Sequence, residues 1–526
     1  MKLKYIFFGL CGSVLLNMTA CKDFLDEVPR TEIDELNYYK TQAQAQENVN
    51  SLYRIGAPMY YGNANGAYQG PYASVPVMLT GYFENSYEGQ EQINQYSRLL
   101  TRQQNTRIVS NRINDIWNPA YVAINRANGA IKNIPNISMP DDVKARLVGE
   151  AKFFRAFNYF YLVKMFGALP LSTEPYVSLD QDFFLARSPV EEVYQLIESD
   201  LVAAVEALPT GVFNTSGRRV NKNVAAMALA NVYLQQGKFA QAASAVNTVT
   251  QSAHSLTTHT GLGANSAYNK LRTLDNLDET IYSMEYDAVI NPGGSWPTYG
   301  FTASANSIFD KYTIFERVYG PTNRFLNIYE ADDLRIQPNQ FYHWSYTNPL
   351  NGRTWSGGDV AGVWAFVEED ALLNTGRSIK DRNIYRYAEA LLIAAEAGAR
   401  AENAVTSTVA GYLAEVRARA STTGQTVATI TAQLQGLSVE QFVQEVWKER
   451  LRELPLEFKM WDDCLRTGMF PNISGTNRGQ VTFVPLVGAR NGSDAVFKET
   501  DLVYPISMDE LQRNTNLTQN AGYQER

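Results

Sequence analysis

The chain has 526 residues, with 46 Lys and Arg against 54 Asp and Glu, a formal net charge of −8, and 45% hydrophobic and 19% charged residues. This is the balance of an ordinary folded chain and excludes intrinsic disorder as its main state. A mildly acidic chain without basic runs is also a poor partner for nucleic acid, whose affinity comes from clustered Lys and Arg displacing counterions. With 31 Tyr, 24 Phe and 7 Trp, aromatic residues make up 12% of the chain, an excess that needs a use.

Met1 to Lys4 is a short basic start, and Tyr5 to Leu16 is apolar apart from Gly and Ser and carries no charge. This is the pattern of a secretory signal, shorter than the roughly 20 apolar residues of a spanning helix. Met18-Thr19-Ala20-Cys21 closes it and resembles the lipobox of bacterial lipoproteins, with Met18 where Leu is usual. The expectation is a signal over 1–20, a lipid anchor on Cys21 and one domain over 21–526. Cys11 leaves with the signal and Cys21 carries the lipid, so Cys464 has no disulfide partner. Two or more acyl chains, at about 0.8 kcal/mol per buried CH₂, hold a water-soluble body at a membrane.

After the signal, Met59 to Tyr96 is rich in Gly, Asn and aromatics and lacks helical periodicity. From Lys144 to Met165, one apolar line runs through Leu147, Ala151, Phe154, Phe157 and Tyr161, and a second through Phe153, Ala156, Phe160 and Val163. Two stripes at helical spacing predict a helix packed on two sides, stopped by Gly167 and Pro170. A helix over Val190 to Leu208 follows Ser188-Pro189, with Glu191 and Glu192 in the first turn, where the helix dipole favours acids. Asn223 to Thr250 has Ala230, Tyr233 and Ala242 at the intervals of a tetratricopeptide helix-turn-helix, turning at Gln236-Gly237-Lys238. The span 254–382 is again rich in Gly, Asn, Pro, Ser and aromatics, and Asn383 to Ala420 predicts another helical pair, with Ile384, Ala388, Leu391 and Ala395 on one stripe. The fold class expected is all-α: a tetratricopeptide-like helical repeat scaffold with loop-rich insertions at about 59–96 and 254–382, of a length more often functional than incidental.

Ordered motifs along nearly the whole chain resemble the SusD/RagB family of surface lipoproteins. They are Asp23-Phe24-Leu25-Asp26 after Cys21; Trp117, Tyr121, Ile124, Asn125 and Asn128; Glu150-Ala151-Lys152-Phe153-Phe154-Arg155-Ala156 with Phe166-Gly167-Ala168-Leu169-Pro170-Leu171; and Arg386-Tyr387-Ala388-Glu389 with Ala395-Glu396-Ala397 and Arg417-Ala418-Arg419-Ala420. Then come Glu449-Arg450, Glu453-Leu454, Glu457, Trp461, Asp463 and Arg466, with Phe458 and Met460 where Gly and Arg are commoner, and Tyr504-Pro505-Ile506-Ser507 with Glu510-Leu511 and Asn514 to Tyr523. The resemblance implies a tetratricopeptide-like fold, a lipid anchor at the outer membrane and a partnership with a SusC-like, TonB-dependent barrel that takes a captured nutrient inward.

Catalytic and metal patterns are thin. His254, His259 and His343 are the only histidines, and the first two stand five apart rather than four, so neither a metal site nor a cofactor is expected. Asp275, Asp278 and Glu279 miss the spacing of a calcium loop and read as a solvated turn. Asp462-Asp463 and Glu368-Glu369-Asp370 are the nearest approach to a glycosidase's carboxylate pair, yet sequence neighbours on a helix do not face each other. Glu449, Arg450, Arg452 and Glu453 read as ion pairing at helical intervals.

Binding is the better lead. Trp296, Trp344, Trp355 and Trp364 crowd into one insertion, and Trp296 and Trp355 fall in Gly-rich turns where few neighbours are expected to cover them. An uncovered indole offers a flat apolar face to a sugar ring while nearby amides bond its hydroxyls. The expected ligand residues are Trp296, Trp355, Trp344 and Tyr299, with Tyr82 and Asn85 of the earlier excursion at the same mouth. The function expected is non-enzymatic capture of an oligosaccharide, with peptide capture or a surface hydrolase as the alternatives.

Overall fold

The computed structural model describes residues 38–55, 74–86, 92–178, 180–289, 293, 296–312, 314–315 and 317–525. The chain divides into two compact units, 1–40 and 41–526. The expected signal and Cys21 lie outside the described residues.

The scaffold of the second unit is a stack of helices, each packed on the next: α1 (Gln42–Ile55), α2 (Thr106–Asn133), α3 (Asp141–Phe166), α4 (Val190–Ala207), α5 (Lys222–Gln235), α6 (Phe239–Thr250), α7 (Tyr387–Glu402), α8 (Ser407–Ala420) and α9 (Val427–Leu434). A further helix, α10 (Val439–Glu453), packs on α7 and α8. The sequence dictates the ends. Asp141 and Asp142 occupy the first turn of α3, and Gly167, at φ +72°, ends it. Asn221 caps α5, Thr406 caps α8, and Ser438 with Gln441 forms a capping box on α10. The two stripes of α3 are both buried, since it lies between α2 and α4. Arg155 ties the three helices, donating to both Asp200 oxygens on α4 at 2.7 and 2.8 Å and to Asn128 on α2 at 2.9 Å.

The long insertion does not break the stack: α6 packs directly on α7 although the insertion separates them in sequence. Two antiparallel strands form its neck, β2 (Thr280–Met284) and β8 (Arg382–Arg386), paired from Arg382↔Met284 to Arg386↔Thr280 with irregular register between. Residues 383–386, expected in a helix, are therefore strand. Ile384 is buried there, and helix begins only at Tyr387.

Beyond the neck the insertion is built of short ribbons and single turns. β4 (Tyr342–His343) pairs with β7 (Gly362–Val363), and β5 (Ser345–Thr347) pairs with β6 (Thr354–Ser356). Its own core contains Phe301, Ile308, Phe309, Phe315, Tyr346, Trp355 and Trp364. Edge-to-face contacts fill it, as between Phe301 and Trp355 at 5.1 Å. Much of the aromatic excess is thus spent making a core where regular structure is scarce.

A buried web of ion pairs fastens insertion to stack. Glu453 on α10 accepts from Arg335 at 2.9 Å, Arg386 at 3.1 Å and Arg419 at 2.6 Å, and Glu279 accepts from Arg386 at 2.5 Å and Arg419 at 2.6 Å. Burial alone would raise the Glu279 carboxyl, but Arg419 and Arg386 hold it down at about 2. Glu449 is likewise held at about 2 against its burial by Arg335, Arg417 and Arg452. The pairing expected along α10 is present between Arg452 and Glu449 at 3.7 Å, while most partners lie across the fold rather than along the helix.

Candidate ligand-binding face

The two loop-rich excursions meet. β1 (Phe83–Glu84) of the first pairs antiparallel with β3 (Gly320–Pro321) of the second, Phe83 opposite Pro321 and Glu84 opposite Gly320. The Ser86 amide donates to the Arg317 carbonyl at 3.0 Å, and Arg317 donates to Glu84 at 2.5 Å. Under this seam Phe83 stacks on Tyr319 with ring centres 4.1 Å apart. Two segments more than two hundred residues apart in sequence thereby share one face.

Four of the six expected ligand residues are not on that face as open surfaces. Trp296 is 4% exposed, packed edge-on against Tyr299 at 5.3 Å and Phe366 at 4.9 Å, with the Arg382 guanidinium 5.1 Å from its ring centre. Tyr299 is 1% exposed. Trp355, also 1% exposed, donates its Nε1 to Thr302 at 2.9 Å and packs on Phe301 and His343. Tyr82 is fully buried, stacked on Phe470 at 5.5 Å and donating its hydroxyl to the Pro471 carbonyl at 2.6 Å. The expectation of uncovered faces is corrected for these residues, and the reason is geometric. A glycine next to an indole lets the chain fold back onto it: a Cβ on Gly357 would stand 3.0 Å from the Trp355 ring. The turn that seemed to leave Trp355 bare is what covers it.

Trp344 and Asn85 remain half-buried. Two further apolar side chains before the seam, outside the expected set, also keep surface. Ile314 is 51% exposed, and Tyr312 is half-buried with its hydroxyl pKa pushed up by burial and by Glu368. Neither sits in a turn motif nor beside a Trp; they precede Arg317, whose carbonyl the Ser86 amide meets.

The acids that came nearest to a carboxylate pair in the sequence are taken up by local duties. Asp463 accepts from Arg450 at 2.8 Å and Arg466 at 2.7 Å, Asp462 pairs with Lys164, and Glu368 accepts from Ser378 at 2.8 Å and the Ile379 amide at 2.9 Å. Asp275 and Asp381 come close at the neck of the insertion. Burial and the Asp275 charge raise the Asp381 carboxyl to about 7. Its oxygens are nonetheless taken, one by the Tyr286 amide at 2.8 Å and the other by Arg218, while Lys380 pairs with Asp275 at 2.5 Å. That cluster is a clasp between strands rather than a cleft for substrate.

Each histidine secures backbone: His254 Nδ1 to the Asp278 carbonyl at 2.7 Å, His259 Nε2 to the Arg419 carbonyl at 2.8 Å, and His343 Nε2 to the Gly300 carbonyl at 2.6 Å. Among the described residues no group of three or more His, Cys, Asp or Glu is placed to hold a metal ion. Among them, too, no helix is long and apolar enough to cross a membrane.

Phe458, which departs from the usual glycine of its motif, lies at φ +61°, a left-handed conformation costly for a side chain but free for glycine. Its ring is recovered as packing, 4.6 Å from Tyr319 in the seam.

Comparison with known proteins agrees with this architecture. Residues 23–234 match the family described as starch-binding and associating with the outer membrane, and residues 267–523 match the SusD family. SusD-like protein P2 of Formosa agariphila is 25% identical, with 97% of this chain and 98% of that one aligned. Among solved structures, a SusD superfamily protein from Parabacteroides distasonis superposes with a TM-score of 0.76 at 24% identity, covering 91% of this chain and 99% of that one. Surface glycan-binding protein A from Bacteroides thetaiotaomicron, solved in complex with laminarihexaose, superposes with a TM-score of 0.66 at 17% identity, covering 92% and 100%. With the stack, the insertion and both family patterns in agreement, the chain belongs to the SusD/RagB family.

Proposed function

We propose that the protein is a non-enzymatic surface lipoprotein that captures an oligosaccharide at the face where its two excursions meet and passes it to a SusC-like, TonB-dependent barrel. The observation that supports this reading is the β1–β3 seam, which joins the excursion carrying Asn85 to the one carrying Tyr312 and Ile314. A sugar ring needs a flat apolar surface and amides at its edge, and these residue types supply both. Trp344, half-buried on the same insertion, is the remaining indole of the expected set that keeps surface. Family membership supports the same direction, since a glycan-bound relative shares the fold.

Capture of this kind needs neither metal nor general acid. Lipid on Cys21, after removal of residues 1–20, would tether the domain 21–526 to the outer membrane with its body in water.

A glycan array read with the purified mature chain tests the reading. Binding to a defined glycan class, weakened at least tenfold by Tyr312→Ala or Trp344→Ala with the melting temperature unchanged, is the expected result. Binding of oligopeptides and of no glycan would move the reading to RagB-like peptide uptake. Release of shortened products, abolished by changing one acid, would make the protein a hydrolase.

A further inference from the structure

All three histidines of the chain lie in the long insertion, and His343 is the one set among the rings of its core. The imidazole is fully buried, with the Phe301 and Trp355 ring centres 4.9 Å away and that of Trp364 5.2 Å away. The Gly300 carbonyl can only accept, so the 2.6 Å bond to it puts the ring proton on Nε2 and leaves Nδ1 bare. Nδ1 is buried without a hydrogen-bond partner among the described residues. The ring is also wedged by glycine backbone: a Cβ on Gly362 would stand 2.5 Å from Nε2 and 2.2 Å from the Gly300 oxygen. A proton on Nδ1 would place a cation inside aromatic packing, and water reaches it only if the backbone on one side gives way.

The surroundings do not welcome that charge. Burial holds the His343 pKa down at about 4, although the Gly300 and Ser345 backbone pulls the other way, and the Arg272 charge adds to the depression. Arg272 lies over the Trp364 ring at 4.5 Å, and Glu369, half-exposed, pairs with it at 3.9 Å. Arg353 and Asp359, beyond the ends of β6 and β7, are exposed. Tyr299, Tyr342 and Tyr346, on the elements around the ring, are phenols and neutral in acid. Because the folded pKa lies below the ordinary 6.5, the stability His343 contributes is full above pH 6.5 and is lost as pH falls toward 4. Between pH 7.5 and pH 5 that shifts a local opening by about thirtyfold. Asp381 at the neck acts in the opposite sense, so acid loosens the far end of the insertion while its root holds.

We propose that His343 is an acid-sensitive pin: a proton on Nδ1 parts the β4–β7 ribbon from the turn at Gly300, so that acid and bound cargo act in opposite directions on the core beneath Tyr312 and beside Trp344. The link to cargo rests on the proposed capture by this insertion, whereas the opening itself does not. Tyr312 packs against the core, and Trp344 follows His343 directly in the chain. A ligand that needs the closed core must suppress its opening, by linkage.

Hydrogen exchange of the mature chain at pH 7.5 and pH 5, read by mass spectrometry and corrected for the intrinsic pH dependence of exchange, tests the pin. Wild type is compared with His343→Gln, whose amide can still donate to Gly300 but takes up no proton. His254 and His259 are present in both chains, so the difference belongs to His343. The expected result is a fall of about thirtyfold in wild-type protection over 342–347 and 354–364, with α3 unchanged and no such fall in the variant. Equal wild-type protection at both pH values, a fall shared by α3, or a fall undiminished in the variant overturns the pin. Should the variant not fold, NMR titration of the wild-type imidazoles decides: a His343 ring, identified by its contacts to Trp355, that is still neutral at pH 5 is expected, and one titrating near pH 6.5 overturns the proposal. The glycan that binds on the array, added at saturation at pH 5, is expected to restore protection in the same segments. Bound glycan that leaves them unprotected overturns the link to cargo and leaves the pin standing. Absence of glycan binding at either pH defeats the capture reading and that link with it, while the exchange result still decides the pin.

Discussion

Trp355 shows what an individual side chain contributes here. A Trp in a turn of Asn, Gly and Ser invites assignment to a ligand, yet its indole fills the insertion's core and its Nε1 is satisfied by Thr302. Replacing a buried Trp by Ala typically costs about 3–5 kcal/mol. Trp355→Ala is therefore expected to lower the unfolding free energy by about that amount, measured by chemical denaturation, with loss of binding following from loss of structure. Phe458 carries a related lesson: its motif position signals glycine because the backbone is left-handed there, and this chain accepts the strain and gains an aromatic contact with Tyr319. A sequence shows such a departure but not its geometry, since φ is set by how the neighbouring helix ends.

Among the elements, the neck of the insertion contributes one pH-dependent term. Asp381 is raised to about 7 by burial and by Asp275, against the pull of the Tyr286 amide, Arg218 and Lys380, with Arg382 and Glu285 also at this junction. Because the folded pKa lies above the unfolded one, the folded state holds an extra proton between about pH 4 and pH 7, and stability from this group is full below that window and lost as pH rises through it. Asp381→Asn should flatten the fall in stability across that range, read from melting temperatures in a pH series; an unaltered slope would remove Asp381 as its source. Glu279 and Glu449, held at about 2, act in the opposite sense and lose their contribution as pH falls below about 4.5. Their web is also fragile at one point. Glu453→Ala would leave Arg335, Arg386 and Arg419 facing each other without their shared acceptor, an expected loss of about 3–5 kcal/mol in denaturant unfolding.

The helices were legible for a simple reason: long segments with apolar residues at helical spacing, such as 141–166 and 222–250, can bury themselves in only one way. The strand at 382–386 was hidden because Ile384 stands four residues before Ala388 and continues the spacing of the α7 stripe, although pairing with β2 claims it. The proposed binding face follows from the two excursions expected in the sequence, not from most of the residues expected within them. Gly and Trp content marks where regular structure stops, but which aromatics end up covered depends on ribbon pairing, and no local pattern records that Glu84 meets Gly320 or that Ser86 meets Arg317.

At the scale of the whole molecule, ion pairs clamp the insertion to the helical stack, and the proposed tether is lipid on Cys21. Cys21→Ser should move the protein from the membrane fraction to the soluble fraction, followed by immunoblotting; retention in the membrane would reject the anchor. The central claim is that cargo is gripped at the seam of the two excursions. Glycan-array binding of the mature chain, compared with that of a Tyr312→Ala/Ile314→Ser variant of equal melting temperature, tests it most directly. The account predicts loss of the glycan signal in the variant, and an undiminished signal would contradict it.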